Sequence, residues 1–233
     1  MKKRYLILII ILLLIFVSGI YYFNDFYRAD ATALTYINGS ENISVNHTSN
    51  GLLIDGTGNE TALIFYPGAK IEYTSYLPLM NQIASQGVDV YLVEMPLNFA
   101  FLGSNSADDI IKNSNYSNYI MAGHSLGGVV ASQYASNHNV SGLVLLSAYP
   151  TDEINIPTLS IYGSEDKVLN LKTYNESKTF FKGNFSEYVI EGANHAQFAN
   201  YGIQTGDGIA KINSTIQQNE TAKEIIKFIH NLI

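Results

Sequence analysis

Three side chains that could cooperate in nucleophilic catalysis occur along this chain in the order serine, carboxylate, histidine. Ser125 is the centre of Gly123-His124-Ser125-Leu126-Gly127. A serine hydroxyl attacks poorly unless a base takes its proton, and the base needs a carboxylate to hold its ring. Asp166 follows the apolar run Thr158–Tyr162 in the segment GSEDKV, with Glu165 beside it as the second carboxylate candidate. His195 follows Tyr188–Ile190 in EGANH. Of the other histidines, His138 falls at the end of an expected helix and His230 inside the last one, so both read as surface or packing residues. His124 precedes the nucleophile and is not the base in this order.

A GxSxG pentapeptide alone is a weak signal. It gains weight when a strand enters it and a helix leaves it, because that sharp turn exposes the serine hydroxyl. Here Tyr119–Met121 reads as the strand and Gly128–Ala135 as the helix, with the small Gly123 and Gly127 letting the two pack closely. Ser125 then lies at a helix N-terminus, where backbone N–H groups can stabilise a developing oxyanion. Leu126, the next residue, is one expected donor. The other is expected from the loop Tyr66-Pro67-Gly68-Ala69-Lys70, where Gly68 permits an unusual turn and Ala69 N–H is the candidate.

The elements that must position these groups follow from periodicity. Short β-branched or aromatic runs bounded by Gly and Pro occur at Ala33–Ile37, Leu52–Ile54, Ala62–Tyr66, Val88–Val93, Tyr119–Ala122, Leu143–Leu146, Thr158–Tyr162 and Tyr188–Ile190. Such runs suit buried parallel strands. Between them lie helical patterns: Leu79, Met80, Ile83 and Ala84 after Pro78, the segment after Ser125, and the stripe Ala222, Ile225, Ile226, Ile229 and Leu232. Alternation of this kind predicts one α/β domain over residues 33–233, with a mostly parallel sheet of about eight strands flanked by helices. The short connection from Leu146 to Thr158 leaves no room for a helical lid and predicts an open, shallow pocket and soluble or accessible acyl substrates. The run AQFANYGIQTGDG, Ala196–Gly208, is expected to line it; Asp207 within that run comes too late in order to be the acid.

Tyr5–Phe23 carries no charge over 19 residues, enough to cross a bilayer's hydrocarbon core. Lys2, Lys3 and Arg4 precede it, so residues 1–23 read as a single-pass anchor with the N-terminus cytoplasmic and the remainder outside; residues 24–32 read as a linker. A cleaved signal peptide is the rival, disfavoured by the long apolar run and the bulky aromatics after it. Ten Asn-x-Ser/Thr triplets, beginning at Asn38, Asn42, Asn46, Asn59, Asn115, Asn139, Asn175, Asn184, Asn213 and Asn219, fit an exported surface carrying N-glycans. A net charge of −7, with the only basic cluster at Lys2–Arg4, argues against nucleic acid as a partner. There is no cysteine, which excludes thiolate catalysis and disulfides. No metal motif and no complete dinucleotide fingerprint occurs, so no cofactor is expected.

The segments ALIFYPGAKIE, VYLVEMPLNFAFLG, AGHSLGG, IYGSEDKV and EGANHAQFANYGIQTGDG together resemble the α/β-hydrolase superfamily, and within it the small lidless group that includes dienelactone-hydrolase-like proteins. The resemblance covers about residues 33–233 and implies a serine hydrolase with Ser125, Asp166 and His195 as its triad; serine stands where dienelactone hydrolases proper carry cysteine. The implied partner is a small-molecule ester or other acyl substrate. Acyl transfer, thioester cleavage and peptide cleavage use the same triad and stay open, as does a non-catalytic surface binding module that retains the fold.

Overall fold

Strand β3 (Thr61–Tyr66, TALIFY) is buried at every position, and so is β6 (Gly142–Leu146, GLVLL). A strand buried on both faces has helices packed above and below it. Successive residues of β3 point to opposite faces of the sheet. Leu63 and Phe65 meet Leu77, Met80, Ile83 and the last helix's Ile225 and Ile229 on one side. Ile64 and Tyr66 meet Ala107, Ile110, Val130 and Tyr134 on the other. The computed structural model describes residues 2–40, 42–58 and 60–232; the sequon asparagine Asn59 lies outside them.

The remaining strands are β1 (Ser44–Thr48), β2 (Gly51–Asp55), β4 (Asp89–Val93), β5 (Asn118–His124), β7 (Thr158–Gly163) and β8 (Phe185–Ile190). They form one eight-stranded sheet in the order β1-β2-β4-β3-β5-β6-β7-β8. The pairs β1–β2 and β2–β4 are antiparallel, and every pair from β4–β3 to β7–β8 is parallel. The helices are α1 (Lys2–Asn24), α2 (Ala31–Leu34), α3 (Leu77–Ala84), α4 (Ser106–Asn113), α5 (Leu126–Asn137), α6 (Leu171–Ser177) and α7 (Ser214–His230). From β3 the chain moves outward to β4 and then returns to β5 on β3's other side. The loops leaving β3 and β5 therefore diverge, opening a crevice at the carboxyl ends of these strands, where open α/β sheets place their ligands.

Two expectations fail at the N-terminal margin of the sheet. Ala33–Ile37 is not a strand. Asp30 Oδ1 accepts the Ala33 N–H at 2.8 Å, and this cap starts the one-turn helix α2 on good helix formers. The eighth strand is instead β1, SVNHT, whose polar and largely exposed sequence lacks the apolar pattern by which a strand is read. It forms because β2 offers an open edge, with Val45 paired to Ile54.

α1 has 23 residues, about 34 Å at 1.5 Å per residue. Its segment Arg4–Asn24 has a mean hydropathy of 2.9, and its most apolar stretch is not buried inside the molecule, so it is long and apolar enough to span a membrane. The residues after it are tied down. Tyr27 N–H donates to Lys70 O at 2.8 Å and Tyr27 O accepts from Glu72 N–H at 2.9 Å.

Candidate active site

Ser125 sits between β5 and α5 with φ 52° and ψ −126°, a backbone conformation that costs an L-residue on the order of 1–3 kcal/mol. The surrounding glycines make the turn sterically feasible. A Cβ on Gly123 would lie 2.6 Å from Gly127 C and Gly128 N, and one on Gly127 would collide with the carbonyl oxygens of Tyr66 and Pro67. The turn is held from outside by Ser125 N–H donating to Leu146 O at 2.9 Å, across the neighbouring strand β6.

Asp166 and His195 meet. His195 Nδ1 lies 2.9 Å from Asp166 Oδ2, and both residues are almost fully buried. Asp166 Oδ1 accepts the N–H groups of Val168 and Leu169, each at 2.8 Å. Burial alone would raise the Asp166 pKa. The His195 hydrogen bond and charge and the Leu169 N–H outweigh it, and hold the carboxyl at about 2. His195 Nε2, the ring's other nitrogen, is buried without a hydrogen-bond partner among the described residues. Ser125, Leu126 and His195 line one pocket of about 190 Å³, together with Val129, Ala148, Tyr149, Val168 and Leu169. The second carboxylate candidate points elsewhere: Glu165 pairs with Lys211 at 2.5 Å.

The loop after β3 approaches from the other side of the crevice. Gly68 N–H donates to Tyr76 Oη at 3.0 Å and Lys70 N–H donates to Asn98 O at 2.8 Å. Ala69 N–H, between them, has no acceptor among the described residues. Leu126 N–H is the first of α5 and has no partner within the helix. The unusual turn expected at Gly68 falls instead at Lys70, whose φ is 56°. Gly68 is needed for space, since a Cβ there would lie 2.9 Å from Ile71 Cδ1 and 3.1 Å from His124 Nδ1.

His124, adjacent to the nucleophile, is fully buried and takes part in a different contact. Its Nδ1 lies 2.8 Å from Tyr76 Oη. Burial, then the neighbouring His195, pushes its pKa well below 6.5, so it is neutral. Burial also raises the Tyr76 pKa far above its usual value. Tyr76 Oη also accepts the Gly68 N–H, so this contact ties the residue before the nucleophile to the loop after β3.

Three positioning residues escaped the sequence reading. Asp207 accepts Ala196 N–H at 2.9 Å through Oδ2 and Lys167 N–H at 3.3 Å through Oδ1, which buckles the loop carrying Asp166 to the loop carrying His195. Gln217 exchanges two hydrogen bonds with the backbone of Asn194, at 3.1 and 2.8 Å, as a neighbouring strand would. Gln218 holds Gln197 O at 3.1 Å and Asn200 Oδ1 at 2.8 Å. The buried polar positions preceding the apolar stripe of α7 were the available signal. The expectation that Ala196–Gly208 lines the Ser125 pocket also fails. Its residues surround a separate cavity of about 370 Å³ with Asp30 and Ser214, because Asp207 and Gln218 draw the segment back against the rest of the molecule.

Residues 62–219 match the model of the alpha/beta hydrolase family. The chain belongs to that family. Solved structures share the α/β-hydrolase fold at low identity. Dienelactone hydrolase from Anabaena variabilis aligns over 82% of this chain and 99% of its own at 13% identity, with a TM-score of 0.64. TT1662 from Thermus thermophilus aligns over 82% and 98% at 13% identity, TM-score 0.62. A membrane phospholipase A, described as a bacterial virulence factor, aligns over 100% of this chain and 99% of its own at 14% identity, TM-score 0.62. No curated protein matches the chain in sequence. The family supports a hydrolase.

Proposed function

We propose that the protein is a membrane-anchored, extracytoplasmic serine hydrolase that cleaves carboxylic esters through an acyl-enzyme. The observation that carries this reading is His195, backed by buried Asp166, lining one pocket with a serine in a strained turn. Ser125 Oγ attacks the ester carbonyl carbon while its proton passes to His195 Nε2. Asp166 holds the ring and stabilises the imidazolium. The tetrahedral oxyanion accepts the N–H groups of Ala69 and Leu126. Collapse breaks the carbon–oxygen bond, and the leaving alkoxide takes the proton from His195 Nε2. Water then attacks the acyl-enzyme, giving its proton to His195, which returns it to Ser125 as the acid leaves.

α1 supports anchoring by its length and composition, and Lys2, Lys3 and Arg4 at its start support the cytoplasmic N-terminus. The nine sequon asparagines among the described residues are all exposed, as acceptors of N-glycans must be. The test is turnover of p-nitrophenyl esters of increasing chain length by the full chain in detergent. A burst of p-nitrophenol equal to the enzyme concentration, absent from Ser125→Ala and His195→Ala, is expected. Turnover that survives in Ser125→Ala refutes the mechanism.

A further inference from the structure

We infer that the mouth of the active site lies against the bilayer that holds α1, and that the substrate is the acyl ester of a membrane lipid. The chemistry rests on the hydrolase reading above; the placement rests on geometry alone. Among the described residues outside α1, ten large apolar side chains are exposed. Seven of the ten belong to segments leaving the carboxyl ends of β4, β7 and β8: three after β4 (Leu97, Phe101 and Leu102), two after β7, and two after β8 (Ile203 and Ile209). Ile203 and Ile209 are 94% and 90% exposed, which a water-facing loop does not require. Val168 lines the Ser125 pocket, and Ile203 and Ile209 line the separate cavity beside it. All seven follow carboxyl ends of strands, the edge of the sheet that also carries Ser125 and His195. Exposed apolar side chains along one edge mark a surface that something apolar covers.

The anchor identifies the cover. The last turn of α1 packs on the segment that leaves the carboxyl end of β4, at this same edge of the sheet. Tyr22 stacks on Phe99 with ring centroids 6.4 Å apart, Phe23 meets the same ring edge-on at 6.1 Å, and Phe99 leads to Phe101 at 5.3 Å. Asp25 pairs with Lys70 at 3.0 Å, one residue from Ala69. Tyr27 packs on Tyr201 at 5.2 Å, and its Oη accepts Thr205 N–H at 3.1 Å. A spanning helix ends at the interface, so the segments touching its last turn are held at the interface too.

Two further observations agree. Leu97 and Asn98 hold left-handed backbones, φ 52° and 58°, and Asn98 O is the acceptor for Lys70 N–H. The strained turn therefore presents an exposed leucine beside the oxyanion loop. No sequon falls within residues 95–105, 164–171 or 195–209. Asn115, Asn139 and Asn184, by contrast, precede β5, β6 and β8 at the opposite edge of the sheet and are exposed. The pocket walls Leu126, Val129, Ala148, Val168 and Leu169 offer an acyl chain an apolar path from the bilayer to Ser125.

The chain has no tryptophan, so Ile203→Trp supplies a single reporter. The full-length variant is reconstituted into phosphatidylcholine vesicles with or without bromine on the acyl chains. Interfacial apolar groups insert about 5–10 Å, so the tryptophan is expected to lose roughly half its emission to brominated lipid, while Asn139→Trp is unaffected. In a second arm, Phe101→Ser/Leu102→Ser is expected to keep turnover of p-nitrophenyl butyrate and lose about tenfold on vesicle phosphatidylcholine, from the apolar contact removed. Equal emission of Ile203→Trp in both vesicles overturns the placement, including the case where a protein partner shields it. Wild-type turnover of butyrate with none of phospholipid overturns the substrate class and leaves the hydrolase standing. Failure on both esters with Ser125 unreactive defeats the hydrolase reading and the lipid substrate with it, while the quenching still reports the placement.

Discussion

Replacing Asp166 by asparagine changes one atom and should remove most of the catalysis. In the native site Oδ1 is committed to the N–H groups of Val168 and Leu169, leaving Oδ2 to face His195 Nδ1 at 2.9 Å. An asparagine must keep its carbonyl oxygen on the two N–H groups, so its amide NH₂ is turned toward the imidazole. Nδ1 then has to accept, the ring hydrogen moves to Nε2, and His195 can no longer take the Ser125 proton. The expected loss is about 10³–10⁴-fold in kcat, with KM changed little, because substrate contacts are untouched. The same carboxylate carries a stability signature. Its pKa is about 2 in the folded chain against an ordinary 3.8, which is worth about 2.5 kcal/mol above pH 4. Because the folded value is depressed, that stability is complete above about pH 4 and is lost as pH falls through about 2. Steady-state kinetics of Asp166→Asn, together with urea unfolding of both proteins from pH 5 to pH 2, test the two arms. Activity within tenfold of wild type in the folded variant would refute the tautomer argument, and equal acid sensitivity of the two proteins would refute the linkage.

Asp207→Ala should release the buckle between the acid and base loops, costing about 1–3 kcal/mol in urea unfolding and lowering kcat by about 10–100-fold through misplacement of His195. Asp207→Asn retains one acceptor and should recover part of both, whereas unchanged kcat in Asp207→Ala would remove Asp207 from the positioning network. His124 is held neutral by burial while an unfolded chain's histidine titrates near 6.5, so below that pH the unfolded state gains a proton that the folded state refuses. Stability should therefore fall by about 1.4 kcal/mol per pH unit below pH 6 from this group. The slope should shrink by that amount in His124→Gln, and an identical slope in the variant would refute it.

The parallel core of the sheet was legible because its strands are buried on both faces and read as unbroken apolar runs, ALIFY and LVLL among them. The serine turn was legible for a related reason, since only small residues fit between β5, α5 and the loop after β3. Asp166 and His195 could be placed because each follows a strand's carboxyl end. What escaped detection depends on partners distant in sequence. SVNHT becomes a strand only because β2 offers it an edge. Asp207 and Gln217 matter through backbone groups that the fold brings to them, and neither has a local pattern. The segment 196–208 lines a different cavity for the same reason: its anchors are Asp207, bonded to the distant Lys167, and Gln218 in α7. The exposed apolar residues along the carboxyl-end edge are scattered along the sequence and share that edge only once β4, β7 and β8 lie in one sheet.

Reaction of the full chain with a fluorophosphonate, followed by peptide mass spectrometry, tests the central claim most directly. An activated Ser125 predicts one adduct per chain on the peptide containing AGHSLGG, absent from Ser125→Ala and strongly slowed in His195→Ala. A folded wild-type chain that stays unmodified, or is modified equally when Ser125 is alanine, would contradict the account.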